Sequence, residues 1–188
     1  MSFKNLKLIG IHGPLDGGKD TTANYLQAKY PDRFGRYAFA GPLKQACMIM
    51  FGFTKEQMED RVLKEQDDPR WGFSPRFAMQ KLGTEYGRQM LREDVWIRRA
   101  ELEHYKNLSI HRGTIITDVR FENEAQWIRS QADSLIVYLE VPGLQKDARY
   151  AHASEAGITL VVGKDLRIVN DKSLGLDNLF KQIDESFA

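Results

Sequence analysis

The chain has 188 residues, 42% of them hydrophobic and 28% charged, and its 27 Lys+Arg against 26 Asp+Glu leave a formal net charge of +1. Such a length suits one globular domain that removes roughly 70% of its unfolded surface from water, so no disulfide or metal staple is needed. Near-neutral charge excludes a broad basic face for nucleic acid, and a single cysteine, Cys47, excludes a disulfide framework and a Cys/His metal cluster.

No window approaches ~18 uninterrupted apolar residues, the length a membrane-spanning helix requires. The N-terminal residues Met1 to Lys7 run into a strand without a signal-peptide core. A cytoplasmic protein without membrane contact is expected, with Cys47 packed as a small hydrophobe in Ala46–Phe51.

Leu6–His12 is an apolar run that ends in Gly13-Pro14-Leu15-Asp16-Gly17-Gly18, and Lys19–Tyr30 has helix composition until Pro31. A second strand is predicted over Arg36–Ala40, then a break at Gly41-Pro42 and a helix over Leu43–Phe51. From Thr54 to Lys106 there are 11 Lys+Arg and 11 Asp+Glu in helix-forming composition with no strand pattern, which reads as a helical insertion over about 54–107. Strand patterns return at Thr114–Val119, Ser134–Val141 and Leu166–Asn170, with a helix over Asn123–Gln131 between the first two. A loop over about 143–157 is a candidate lid. A terminal helix from Ser173 carries Leu176, Leu179, Phe180, Ile183 and Phe187 on one stripe. Strands alternating with helices predict an α/β fold with a parallel sheet of about five strands.

Gly13-Pro14-Leu15-Asp16-Gly17-Gly18-Lys19 fits G-x-x-x-x-G-K between a strand and a helix, the context a phosphate-binding loop requires. Glycines let successive N–H groups point into one concavity, the helix N-terminus adds partial positive charge, and Lys19 can reach the β- and γ-phosphates. A tight glycine turn without a ligand is the plain alternative. Asp20 stands where a Ser or Thr ordinarily ligates magnesium, with Thr21 and Thr22 beyond it. Its carboxylate either enters a magnesium shell or is a first-turn acid favoured by the helix dipole.

Lys44 follows the second predicted strand in the first turn of a helix, either at an anion site or as a surface lysine. Ser74-Pro75-Arg76 reads as an N-cap, a first-turn proline and a cation at a helix N-terminus, where the dipole disfavours it unless an anion is near. Trp96 fits either base stacking or a helical core. Asp118, Arg120 and Glu124 cluster after the third major strand, where open α/β sheets bind ligands. Asp118 suits a metal or its water, Arg120 a transferring phosphoryl group, and Glu124 a sugar or base; a surface ion-pair network is the alternative.

Together, Gly18-Lys19-Asp20-Thr21-Thr22-Ala23, Ala40-Gly41-Pro42-Leu43-Lys44, Gln80-Lys81-Leu82-Gly83-Thr84, Asp118-x-Arg120-x-x-x-Glu124, His152-x-Ser154-Glu155-Ala156-Gly157 and Asn170-Asp171-x-Ser173-Leu174 resemble the bacteriophage deoxynucleoside monophosphate kinases. The resemblance implies a P-loop fold with ATP as donor, Mg2+, a deoxynucleoside monophosphate as acceptor, and a homodimer. It places the ATP phosphates on Gly13, Asp16, Gly17, Gly18, Lys19, Asp20, Thr21 and Thr22. Lys44, Lys64, Arg76, Gly83, Trp96, Asp118, Arg120 and Glu124 match positions that hold the acceptor. Lys19, Arg120 and Asp118 would act on the transferring group, with Asp20 and Asp118 shaping the metal shell. A P-loop kinase for another small phosphorylated acceptor, or a nucleotide-gated binding module, would share the phosphate loop.

Overall fold

The structure is a computed structural model and describes residues 5–143 and 157–187. These residues form two compact units, one made of the chain up to Ala38 and from Glu101 onward, the other of Phe39–Ala100. The first holds β1 (Leu8–His12), α1 (Lys19–Lys29), β2 (Phe34–Tyr37), β3 (Gly113–Ile116), α7 (Glu122–Ser130), β4 (Ser134–Glu140), β5 (Leu166–Val169) and α8 (Gly175–Ser186). The second holds α2 (Ala40–Phe51), α3 (Lys55–Glu59), α4 (Arg61–Glu65), α5 (Pro75–Gln80) and a π-helical segment (Lys81–Leu91), while α6 (Val95–Ile110) runs from the second unit into the first.

The expected parallel sheet is present, with five strands in the order β2-β3-β1-β4-β5. Every residue of β1 is buried, as the central strand of a sheet covered on both faces requires. Ile9 and Ile11 join Ala23 and Leu26 of α1 and Leu179 and Ile183 of α8 in one apolar core. On the opposite face Gly10 lies under α7, where a Cβ would stand 2.6 Å from Ile128 Cδ1. Helix α7 therefore packs directly on the backbone of β1. Each fully buried Ile or Leu in these layers contributes about 1.5–3 kcal/mol.

The chain leaves β1 for β2 at one edge, returns through β3 beside β1, and then crosses to β4 on the other side of β1. The carboxyl end of β1 is thus the switch point where open α/β sheets bind ligands. On α7, Arg129 makes a two-pronged ion pair with the buried Asp165, at 3.0 and 2.7 Å, and donates to the Thr159 carbonyl at 2.8 Å. The segment leading into β5 is fastened to α7 in this way.

The second unit has its own core of Cys47, Phe53, Met58 and Ala78, with Phe51, Phe73 and Leu82 packed against it. Burial pushes the Cys47 thiol up to about 11, so it is an inert packing group. Asp68 accepts from Arg70 Nε at 2.8 Å, Arg70 Nη2 at 2.7 Å and Gln57 Nε2 at 3.0 Å. These bonds hold its carboxyl well below the usual carboxylate range, with the Arg70 guanidinium the leading cause. Strand pairing among these residues is limited to one antiparallel bridge, Asp68 to Phe73. The helical unit begins at Phe39 and takes in α2, whereas the sequence pattern started the insertion near Thr54.

Candidate active site

Residues 13–18 leave the carboxyl end of β1 and close over themselves before α1. The Gly17 N–H donates to the Pro14 carbonyl at 2.9 Å, Asp16 has φ 60, and Gly18, the residue before α1, has φ 90. Left-handed residues inside a tight loop turn successive N–H groups into one concavity. The Lys19 ammonium spans this loop, donating to the carbonyls of Gly13 at 2.8 Å and Pro14 at 2.6 Å. It stands over the loop that the sequence pairs it with.

Asp20 is on α1 with its side chain 80% exposed, and it is ion-paired to Arg36 of β2, which also donates to Asn24 Oδ1 at 2.6 Å. The sequence leaves Asp20 between a metal shell and a first-turn acid, and in this structure its carboxylate is held by the Arg36 guanidinium. Thr21 is half-buried. Thr22 corrects the sequence expectation: its side chain faces inward with 0% exposure, so it offers no surface to a phosphate.

Asp118, Val119 and Arg120 follow β3. The Val119 N–H donates to the Ile11 carbonyl at 3.2 Å, and the Val119 carbonyl accepts from His12 Nδ1 at 2.8 Å. Both backbone groups of the residue between Asp118 and Arg120 are therefore clamped to the last two residues of β1, directly before Gly13. His12, which sequence reasoning passed over, is buried, and its ring packs on Tyr138 with centroids 4.8 Å apart. Burial first, and then the nearby Lys19 and Arg120 charges, lower its pKa, while its bond to Val119 opposes them. The neutral imidazole with Nδ1–H is thereby favoured. An imidazole between an apolar strand and a glycine loop was the available signal, but its partner lies 107 residues away.

Glu124 is 1% exposed, and its Oε2 accepts from the N–H groups of Arg120 at 2.8 Å and Phe121 at 3.1 Å. The carboxylate thus caps the N-terminus of α7 and fixes the backbone that carries Arg120. Hydrogen bonding to a sugar or base, expected from the sequence, is not what that oxygen does here.

In the helical unit, α2 starts at Ala40, so Gly41-Pro42 lies inside the helix and Lys44 in its second turn, a correction of the predicted first turn. Pro42 is the third helical residue, where a missing N–H costs nothing because the first N–H groups have no intrahelical partner. At the start of α5, Arg76 is ion-paired with the Glu65 carboxylate of α4. Lys64 is half-buried in the last turn of α4. Gly83 and Trp96, both expected to touch the acceptor, touch each other: the indole N–H donates to the Gly83 carbonyl at 2.7 Å. A Cβ at Gly83 would also meet Leu43 Cδ1 at 2.9 Å, and one at Gly87 would meet the Trp96 ring at 2.8 Å. The glycines of this π-helical segment admit a leucine and an indole against its backbone.

The expected lid over about 143–157 and the motif beginning at His152 lie, except for Gly143 and Gly157, outside the described residues. Gly157 has φ 81, and a Cβ there would sit 3.5 Å from the His12 ring. Among the described residues no three His, Cys, Asp or Glu side chains gather into a metal-holding group, and no helix is long and apolar enough to cross a membrane.

The chain matches the family described as deoxynucleotide monophosphate kinase over residues 53–183, a span that begins after the phosphate loop. A protein of Acanthamoeba polyphaga mimivirus that bears the name of a deoxynucleotide monophosphate kinase is 32% identical over 190 aligned residues, covering 94% of this chain and 93% of the relative. The deoxynucleoside-5'-monophosphate kinase of Escherichia phage T5 is 28% identical, over 80% of this chain and 84% of its own. A parallel sheet with a phosphate loop at its switch point agrees with that kinship, and the chain belongs to the deoxynucleotide monophosphate kinase family.

Proposed function

We propose that the protein moves the γ-phosphoryl group of ATP to the phosphate of a deoxynucleoside monophosphate, giving ADP and a deoxynucleoside diphosphate. Supporting this is the family match, and with it one geometric observation: the clamp of Val119 onto Ile11 and His12, which holds Asp118 and Arg120 next to the phosphate loop. Phosphoryl transfer asks little covalent chemistry of a protein and much alignment and charge neutralisation. Gly13 through Thr21 would cradle the donor phosphates, with Thr22 left in the core. Lys19 would exchange its two loop carbonyls for phosphate oxygens, and Arg120 would neutralise charge on the transferring group.

Magnesium keeps most of its ligands as water and phosphate oxygens and takes one or two carboxylates from a protein, which fits the lack of an acidic cage among the described residues. Asp118 would be the carboxylate that holds it or its water; Asp20 would first have to release Arg36. When bound, the ion adds positive charge along the donor phosphates. The acceptor is itself an anion, so no general base is required. Lys44, Lys64 and Arg76 supply cations for the acceptor phosphate. Gly83 and Trp96 act as one bonded pair that shapes the acceptor's surroundings. A homodimer in the cytoplasm completes the proposal, and sedimentation of the purified chain checks the dimer.

The test is ADP formation with ATP and each common nucleoside monophosphate, ribo and deoxy. Stimulation by one or more deoxynucleoside monophosphates above ATP alone is expected. ADP formation that none of them stimulates would overturn the reading.

A further inference from the structure

The motif Asn170-Asp171-x-Ser173-Leu174 has no part in the chemistry above. Asn170 directly follows β5 and is 5% exposed, with its own N–H fixed to the Glu140 carbonyl at 2.7 Å. Its side-chain Nδ2 donates to the Gly17 carbonyl at 3.1 Å, across 153 residues of sequence. The same Nδ2 would stand 2.6 Å from a Cβ on Gly18, so the amide fills the space a side chain there would need. Gly17 is held at both ends, since its N–H donates to Pro14.

The peptide between Gly17 and Gly18 is trans, and in a trans peptide the C=O and the following N–H point in opposite directions. Drawing the Gly17 carbonyl toward Asn170 therefore turns the Gly18 N–H the other way. A carbonyl released from that bond could rotate toward the concavity, where its partial negative charge would oppose a phosphate.

We infer that Asn170 is a positioning residue for the donor nucleotide, holding the Gly17–Gly18 peptide with its N–H toward the phosphates and its carbonyl away from them. The inference rests on the reading of Gly13–Thr21 as the donor-phosphate site. Asp171 plays a separate part: it caps the following turn, accepting from the Ser173 N–H at 2.9 Å and the Ser173 hydroxyl at 2.6 Å.

Asn170→Asp keeps the size of the side chain but replaces the donor with an acceptor facing the Gly17 carbonyl. Asn170→Ala removes the donor without that repulsion and serves if the first variant folds poorly. Calorimetric titration of each variant and of Lys19→Ala with ATP, and separately with a deoxynucleoside monophosphate, reads the two sites independently. For the Asn170 variants the expected result is ATP affinity about tenfold weaker, about 1.4 kcal/mol, with monophosphate affinity within twofold of wild type. In steady state, the ATP KM rises while the monophosphate KM holds. Equal weakening of both ligands, or unchanged ATP affinity in both Asn170 variants, overturns the inference. Unchanged ATP affinity in Lys19→Ala overturns instead the assignment of the loop to the donor, and the inference with it.

Discussion

The two units hold their functional residues by different means. In the sheet unit, backbone groups tied to buried strands set the positions: Val119 is clamped to Ile11 and His12, and Arg120 and Phe121 are fixed by the buried Glu124. In the helical unit the corresponding cation, Arg76, is set by an ion pair with Glu65, whose side chain is well exposed, on α4, a helix of five residues. A backbone clamp does not have to be given up for a phosphate to bind. An exposed ion pair must be given up when a phosphate takes the guanidinium, and such pairs contribute little stability to resist that exchange. On the proposed reading, the backbone that carries Asp118 and Arg120 is set before a ligand binds, whereas the side chains of Lys19 and Arg76 each exchange a partner within the protein for a phosphate.

The largest effect expected is from Lys19→Ala, which should lower kcat by about a thousandfold, the scale seen when a charge-stabilising donor is removed. A loss confined to ATP KM would show that Lys19 binds the donor without acting on the transferring group. Next, Arg76→Ala should raise the monophosphate KM about tenfold to a hundredfold with a smaller change in kcat, as expected for one charge-assisted hydrogen bond. Glu65→Gln sharpens the comparison because it removes only the competitor. It should leave the monophosphate KM unchanged or lower it by no more than about fivefold, the range of an exposed ion pair. A raised KM would mean that Glu65 orients Arg76 for the ligand. Trp96→Phe, which takes the donor from Gly83 but keeps an aromatic ring, should cost about 1 kcal/mol in denaturant unfolding.

The smallest effect is a dependence of stability on pH. His12 and His104 have pKa values lowered by burial, His12 also by neighbouring cations. Both histidines are neutral in the folded and unfolded chains above the unfolded value of about 6.5. As pH falls below it, the unfolded chain takes up protons that the folded chain resists, so stability drops until the lowered native pKa is passed. His12→Asn, whose amide can still donate to Val119, should show a shallower drop than the wild type over that window. Equal slopes would mean that His12 titrates alike in the folded and unfolded chains.

The parts of the molecule readable in the sequence were those set by neighbours along the chain. The run Leu6–His12 followed by Gly13–Lys19 marks a buried strand and a glycine loop before a helix, because burial on both faces and a glycine turn each leave a local pattern. The strand edges were less exact: β2 proved to be Phe34–Tyr37, and β3 stopped at Ile116. Gly41-Pro42 reads as a break in the sequence, although both residues are tolerated in the first turn of α2. The π-helical geometry over Lys81–Leu91 was not legible, and neither was the close approach of Leu43 to Gly83 and of Trp96 to Gly87. Partners remote in sequence were out of reach: Arg36 for Asp20, Glu65 for Arg76, Val119 for His12 and Gly17 for Asn170. Residue type and spacing identified several groups with site chemistry, but not which of them the protein already occupies with its own atoms.

The central claim is transfer to a deoxynucleoside monophosphate rather than to water. Incubating the protein with ATP and a single deoxynucleoside monophosphate, and separating the nucleotides by ion-exchange chromatography, tests it directly. ADP and the matching deoxynucleoside diphosphate are expected in equal amounts, with no release of inorganic phosphate. ADP accompanied by inorganic phosphate, with the monophosphate recovered intact for every base, would contradict it.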